Sequence, residues 1–399
     1  MLEPLNEGNI KEGITSKGSK RQEAEEYLLN RYEFIFNEIK GIPEYRPINT
    51  RLPYKQINDY KLNSIARELD VFGINISAAK IKEILASSFN PSINPLHKYF
   101  QELPDPGNQD WIKKLSDTVT TANNDFYPYF KKWIVATVAG CMDAKVVNHT
   151  AIVFTGDIQG QYKTTWLNNL IPDKIIDYGF CGEIKPDDKD TLNLLAENLI
   201  INIDDQIHKL NKKDENALKN LITAPFVKYR RPYDKYIIRY ERYASIVASI
   251  NQDEFLADVT GSRRFLPFKI LKIDINAAKA IDINKVWAQA FKLYESDFIY
   301  WFDSTEVSQL KERNQMFNII STEEQLLLEF YDFEAPDEVK SSLQPATILS
   351  KLENHTKQKL SAKKIGEALK KHNIEKQQKT ISGTVRWIYH IAERSRLSL

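Results

Sequence analysis

Three short apolar runs limit what this chain can fold into. Residues 151–155 (AIVFT), 199–204 (LIINID) and 246–249 (IVAS) are almost free of charge until their last positions. Runs of this length suit strands covered on both faces, as in a parallel sheet. Helical patterns at 164–171 and 189–197 separate the first two runs, and another at 214–222 precedes the third. Strand and helix in alternation imply an α/β core. The chain has 399 residues, enough for two or three domains and at least one sizeable core.

The flanks differ from this core. Residues 1–21 are polar and read as a flexible N-terminus. Residues 22–145 read as a mainly helical N-terminal domain. It has helices near 22–31, 62–69 and 77–87, a short hairpin over 34–48 turning at Lys40-Gly41, and a helix over 126–141 with Phe130, Ile134 and Val138 on its apolar face. Ser77 is the expected N-cap of its helix. The Pro-rich stretch 90–112 reads as a turn-laden connection with one short helix. The α/β core is placed at 146–332 and a basic C-terminal domain at 333–399. Residues 341–399 hold 12 Lys and Arg against 4 Asp and Glu, although the whole chain carries only +1. Helical patterns at 346–354 and 361–372 precede TVRWIYHI (384–391), which alternates like a strand or continues as a helix. Helix, turn, helix and strand are compatible with a winged-helix module. No internal repeat is present.

Two cysteines, Cys141 and Cys181, fit a reducing compartment, and no Cys/His spacing suits zinc. The polar N-terminus lacks a signal-peptide core. No run approaches the roughly 18 apolar residues of a membrane span. A cytoplasmic protein without a membrane partner is expected.

The segment after the first apolar run, GDIQGQYKTT (156–165), carries the chemistry. A phosphate-binding loop turns consecutive backbone N–H groups toward phosphate oxygens at a helix N-terminus, adds a lysine for the β and γ phosphates, and follows it with a hydroxyl for the metal. Lys163 and Thr164 fit those two places. Gly156, Gln159, Gly160, Gln161, Tyr162 and Thr165 complete the candidate loop. Two details depart from the common pattern. Gly156 stands seven residues before Lys163 instead of six, and Tyr162 replaces the last glycine. If that position takes a left-handed backbone, Tyr162 carries about 1–3 kcal/mol of strain. A plain polar strand-to-helix turn is the other reading.

Four further patterns bear on the loop. The run 199–204 ends in Asp204 and Asp205. In P-loop ATPases such a strand lies beside the loop strand, its first acid orienting Mg²⁺ and its second polarising the attacking water. The second acid is usually Glu, so Asp205 is one methylene short. Asn251 follows the third run, where an amide reaches a γ-phosphate or forms a simple Asx turn. Arg263 and Arg264 follow a glycine turn and read as an arginine finger or as a surface pair. The stretch 228–243 holds Lys228, Arg230, Arg231, Lys235, Arg239 and Arg242 among five tyrosines. Cations and rings suit nucleic acid. They also suit a strand hairpin with packed tyrosines and solvated charges.

Taken in order, QGQYKTTWLNNLIP, DKDTL, LIINIDD, LKNLITAPFVKYRRPY and SINQDEFLADVTGSRRFLPFKI, with NPLHKYFQELP and FKKWIVATVAG upstream, resemble the virulence-associated protein E family of P-loop ATPases over about residues 55–275. The resemblance implies an AAA+-like core, similar to superfamily III primase-helicases of phages and plasmids, that uses ATP and Mg²⁺. It implies a homo-oligomer, a hexameric ring being one form, and a role in DNA replication of a mobile element. By position, Lys163 and Thr164 become the phosphate and Mg²⁺ residues, Asp204 and Asp205 the Walker B acids, Asn251 the sensor, and Arg263 or Arg264 the finger. Tyr162 matches a branch with QG-x-Tyr-Lys-Thr-Thr-Trp. The departures bear on the rate of hydrolysis more than on binding.

The expected function is an ATP-driven motor or loader acting on single-stranded DNA or a replication fork, with any primase on a separate chain. Lys228, Arg230, Arg231 and Lys235, with Lys363, Lys364, Lys370 and Lys371 of the basic C-terminus, are the expected DNA contacts. The alternative is a weakly or non-hydrolysing, DNA-binding initiator, defence or regulatory factor. A structural subunit without nucleotide is a third option.

Overall fold

The computed structural model describes residues 19–156, 160–186, 188–207, 212–231, 235–256, 259–381 and 383–394. Residues 1–18 of the expected flexible N-terminus lie outside this set. The chain forms two compact units: one runs through Asn251 and resumes at Arg263–Val307, and the other joins Gln252–Ser262 to the chain from Ser308 onward.

The first unit opens with helix α1 (Lys20–Leu29), held by a capping box at Ser19 and Gln22. Strands β1 (Tyr32–Asn37) and β2 (Ile42–Pro47) form the expected antiparallel hairpin. Gly41 closes its turn at φ +66°, with its N–H on the Asn37 carbonyl at 2.7 Å. β3 (Lys55–Gln56) pairs with β2, and β4 (Ser92–Ile93) pairs with β1. Helices α2 (Asp59–Val71) and α3 (Ala78–Leu85) bring Leu62, Ile65, Leu69, Ile81 and Leu85 into one cluster with Phe34 and Leu28. Ser77 does cap α3, accepting from the Lys80 N–H.

Next come α4 (Pro95–Gln101), α5 (Trp111–Ser116), β5 (Val119–Thr121) and α6 (Phe126–Met142). The core sheet adds β6 (Ala151–Thr155), β7 (Gly179–Cys181), β8 (Ile200–Asp204), β11 (Ser245–Ser249) and β12 (Phe265–Ile273). Helices α7 (Lys163–Asn168), α8 (Lys189–Glu197) and α9 (Lys212–Thr223) fall among them, as does a hairpin of β9 (Phe226–Tyr229) and β10 (Ile238–Glu241). The order is β5-β12-β6-β11-β8-β7. β12, β6, β11, β8 and β7 are mutually parallel, and β5 runs antiparallel on the edge. Every residue of β6 and β11 is buried, which is why those sequences show no polar alternation.

This order corrects one expectation. The strand ending in the two aspartates does not lie directly beside β6, because β11 runs between them. β11 is wholly buried, so it needs a neighbour on each edge to satisfy its backbone.

One face of the sheet is sealed by aromatic rings. Phe126 of α6 lies 5.1 Å from Phe130, 5.4 Å from Phe154, 5.6 Å from Trp166 and 4.9 Å from Phe268, centroid to centroid. Trp166 stays buried because its indole N–H donates to Thr118 Oγ1 at 2.9 Å. Asn148 knits α6 to β11 by donating toward the Trp133 carbonyl, Thr137 Oγ1 and Ser245 Oγ. Helices α10 (Ile275–Ala280) and α11 (Ile283–Glu295) follow, and α12 (Ser304–Arg313) begins in the first unit and ends in the second.

The second unit holds α13 (Thr322–Phe330), β13 (Tyr331–Asp332), β14 (Ser341–Leu343), α14 (Pro345–Glu353), α15 (Ala362–Lys371), β15 (Gln377–Ile381) and β16 (Thr384–Glu393). The alternating segment at 384–391 is thus a strand, and β13, β14 and β15 all pair with it. Leu327, Tyr331, Ile348, Leu352, Ile365, Leu369, Tyr389 and Ile391 form its core. Among the described residues no helix is long and apolar enough to cross a membrane. Cys141 and Cys181 are free thiols, the first buried and the second exposed.

Replacing Phe126 with alanine removes a ring shared by four others. Phe126→Ala is expected to cost about 3–5 kcal/mol, read as a lower urea midpoint by circular dichroism.

Candidate functional site

Parallel strands end together, so the residues that follow them meet at one edge. Here Thr155 ends β6, Asp204 ends β8 and Ser249 ends β11. The register sets Ser249 opposite Asp204 on one side and Phe154 on the other. Crevices outside the carboxyl ends of such strands are the usual ligand sites of open α/β sheets.

The chain leaving β6 bends sharply. Gly156 has φ +138°, and a Cβ there would stand 3.2 Å from the Ile270 carbonyl oxygen. Tyr162 has φ +59° and ψ 20°, a left-handed conformation uncommon for a bulky residue. The strain that its position raised in sequence is therefore present, at about 1–3 kcal/mol. Gln159 lies outside the described residues. Gln161 donates to the Leu271 carbonyl at 3.3 Å, which ties the loop to β12.

Helix α7 starts at Lys163, a residue 6% exposed whose ammonium donates to the Gly156 carbonyl at 2.7 Å. One residue later, Thr164 Oγ1 lies 2.8 Å from Asp204 Oδ1 and 2.8 Å from Ser249 Oγ. Ser249 Oγ lies 2.6 Å from the same Asp204 oxygen. Three oxygens thus form a triangle, while the two hydroxyls own only two hydrogens. One side of the triangle has no hydrogen to fill it. Such a set of hard oxygens suits a small divalent cation. Among the described residues no group of three His, Cys, Asp or Glu clusters to hold a metal, so any ion here leans on hydroxyls, one carboxylate and its own ligands.

Asp205 turns away at φ +45°, its N–H bonded to the Ser249 carbonyl at 2.8 Å. Its carboxylate accepts from the Asn251 amide at 3.4 Å. A cleft of about 520 Å³ opens here, lined by Gly160, Gln161, Tyr162, Lys163, Thr164 and Thr165 on one side and by Asp204, Asp205, Ser249 and Asn251 on the other.

Residues 106–319, more than half of the chain, match the virulence-associated protein E-like domain. The chain belongs to that family. No curated protein matches it in sequence. Among solved structures it is similar to the apo C-terminal region of NrS-1, with a TM-score of 0.51 at 13% identity, over 95% of this chain and 100% of that one. A second apo form of the NrS-1 C-terminal region aligns at a TM-score of 0.49 and 13% identity, over 95% of this chain and 100% of that one. SCCmec type IV Cch, described as an active helicase, aligns at a TM-score of 0.38 and 9% identity, over 90% of this chain and 92% of that chain.

In this virulence-associated protein E-like chain the other candidate residues are dispersed. Arg263 and Arg264 precede β12 and line a separate pocket of about 430 Å³. The stretch 228–243 contains the β9–β10 hairpin, with Tyr229 and Tyr240 rings 4.5 Å apart. Lys228, Arg230 and Lys235 are exposed. Arg231 donates to the Ile39 carbonyl and faces Glu197 at 3.8 Å. In the second unit Lys363, Lys364 and Lys371 face Glu367, Glu323 and Glu324, and Lys370 is exposed. Sequence reasoning passed over Ser249. Its signal was a serine closing an apolar strand, two residues before the Asn251 that drew notice.

Thr164→Val keeps the shape and deletes the hydroxyl. It is expected to cost about 1–3 kcal/mol without ligand, and much less in an Asp204→Ala background, as a double-mutant cycle in urea measures.

Proposed function

We propose that this chain is an ATP-dependent, helicase-like motor or loader for DNA replication of a mobile element, built on a P-loop NTPase core. The triangle of Thr164, Ser249 and Asp204, one residue from a buried lysine at the carboxyl edge of a parallel sheet, carries this reading. Family membership supports it.

The residues fit Mg-ATP. Thr164 and Asp204 would hold the metal, since their oxygens already converge without enough hydrogens. Bound Mg²⁺ supplies charge neutralisation at the β and γ phosphates. Lys163 needs only to exchange the Gly156 carbonyl for a phosphate oxygen. Lys163, Thr164 and Thr165 at the start of α7 line the same cleft, where their backbone N–H groups would meet a phosphate. Asp205 and Asn251, bonded to one another, orient a water on the far side. The shorter acid makes the amide a natural helper, because a methylene is missing from its reach.

The two arginines support action between copies. They stand at the amino-terminal end of β12, where Phe265 pairs with Ala151 at the start of β6. Thr164 follows the opposite end of β6, and five residues of strand span about 17 Å. Arg263 or Arg264 therefore serves the cleft of a second subunit in a homo-oligomer, a hexameric ring being one form.

The same proposal assigns residues 22–145 to an N-terminal domain, 146–332 to the ATPase core and 333–399 to a winged helix. Its hairpin β15–β16 forms the wing. Trp387 and Val385 are exposed on that hairpin, and Lys376 lies 5.0 Å from the Trp387 ring. With Lys228, Arg230, Lys235 and Lys370 they offer cations and a ring to single-stranded or forked DNA.

One observation favours a second reading, a nucleotide-bound regulator that turns over slowly. Tyr162 holds a left-handed backbone where glycine is common. Turnover of about 1 per second or faster with single-stranded DNA supports the motor.

Lys163→Ala is expected to lower ATP hydrolysis by at least about 10²-fold with an unchanged circular dichroism spectrum. An unchanged DNA-stimulated rate in that variant rules the motor out. Either Arg263→Ala or Arg264→Ala is expected to lower kcat by about 10³-fold or more, and mixing with Lys163→Ala subunits restores part of the rate.

A further inference from the structure

A cavity of about 670 Å³ opens in the first unit between the β3-β2-β1-β4 sheet, the start of α4 and a 3₁₀ helix at Asp173–Tyr178. None of its lining residues belongs to the Thr164–Asp204 cleft.

The cavity holds one aromatic ring in place through a strand pair. Glu33 of β1 stands directly opposite Arg46 of β2 in the hairpin register. Arg46 Nε donates to Glu33 Oε2 at 2.6 Å, and the Tyr54 hydroxyl donates to the same oxygen at 3.3 Å. The Arg46 guanidinium lies 4.5 Å from the centroid of the Tyr54 ring. One cross-strand pair thus supplies an acid for the phenol and a cation for the ring. Pro53 precedes Tyr54 and narrows the backbone choices of the loop that delivers it. Tyr54 is half-buried and lines the cavity. Tyr99 and Tyr178 add two buried rings to the lining, their hydroxyls bonded to Asn284 and Asn37.

The charge around these rings is uneven. Six cations and four acids line the cavity. Three of the acids are engaged: Lys40 reaches Asp177 at 3.7 Å, Lys98 reaches Glu102 at 3.8 Å, and Glu44 accepts from the Asn37 amide at 2.8 Å. Arg51, Lys55 and Lys174 are exposed, and they outnumber the exposed Asp173. Cations for a backbone and a fixed ring for a base are what an unpaired strand requires. A duplex hides its base faces in the stack and cannot use the ring. The volume is that of a pocket enclosing one small ligand, so one unpaired base enters while its strand runs over the exposed cations.

We infer that this cavity is a further contact for single-stranded DNA, in which a base stacks on Tyr54 and the neighbouring phosphates meet Arg51, Lys55 and Lys174. The inference rests on the proposed action on DNA and not on ATP turnover. It adds a contact region to that reading, since none of the lysines and arginines already expected to touch DNA lines this cavity.

The test uses the full chain without nucleotide and a fluorescein-labelled oligothymidylate of about ten nucleotides, titrated by anisotropy. Tyr54→Ala is expected to weaken binding by at least about fivefold, whereas Tyr54→Phe, which keeps the ring, stays close to wild type. Arg51→Gln combined with Lys55→Gln is expected to flatten the slope of log affinity against log salt by about 1.4, the share of two phosphates on a single strand. A purely structural loop would lower the melting temperature of these variants and leave that slope unchanged, and this result overturns the inference. To locate the base, the oligonucleotide carries 5-iodouracil, and irradiation is expected to give an adduct at Tyr54 by mass spectrometry. Adducts confined to the 228–243 stretch or to the second unit, with unchanged affinity in Tyr54→Ala, overturn this site and leave the DNA reading standing. A wild-type chain that hydrolyses ATP yet binds no oligonucleotide overturns both. Displacement of the DNA by dTMP as readily as by unlabelled oligonucleotide marks a free-nucleotide pocket, and displacement by polyglutamate marks a protein-binding one. Either outcome overturns the inference.

Discussion

Everything at the carboxyl edge depends on one hydrogen-bonded triangle. Thr164 begins the second position of a short helix, Asp204 closes one strand and Ser249 closes the strand between them. A serine side chain is short enough to sit beneath both partners without pushing them apart. Its hydroxyl bridges β8 to α7 across β11, a strand that neither partner belongs to. The aromatic packing of Phe126, Phe154 and Trp166 sets α7 against this edge, because Trp166 is on the same helix as Lys163 and Thr164. Position of the site and integrity of the core are therefore one problem.

The protein tolerates unfavourable local states at both ends of the same sheet. At one edge, Tyr162 and Asp205 hold left-handed backbones around the cleft. At the other, Arg242 keeps a charge where water does not reach. Strain and buried charge of this kind persist where the surrounding packing over-determines them, and they gather at sites that meet ligands. The sheet between them is apolar and regular. The division follows from the chain direction: parallel strands send all their exits to one edge and collect all their entries at the other.

Much of this was legible before any coordinates. Ala151–Thr155 and Ile246–Ser249 showed themselves by apolar continuity, Lys163-Thr164 by following a strand and a glycine-bearing loop, and Ser77 by preceding a helical period. Thr384–Ile391 stayed open between strand and helix, since its alternation fits either. Its strand form is settled by β13, β14 and β15, partners from three other places in the sequence. The basic stretch at 228–243 was legible as charge but not as destination. Arg231 turns inward to the Ile39 carbonyl, Arg242 is buried, and Lys228 and Arg239 lie against Phe226 at 5.5 and 4.2 Å.

By itself the sequence determined the buried central strands and the capped helices, because such an element is specified by the spacing of its own apolar residues and by the caps beside it. It also named the residue types at the loop, since a lysine, a hydroxyl and two acids are read directly from the letters. Tertiary structure alone decided that β11 separates β6 from β8, that Ser249 joins Thr164 to Asp204, and that three arginines meet around His149. The reason is physical: strand order is fixed by which buried edges find partners across hundreds of residues, and no local pattern records that choice.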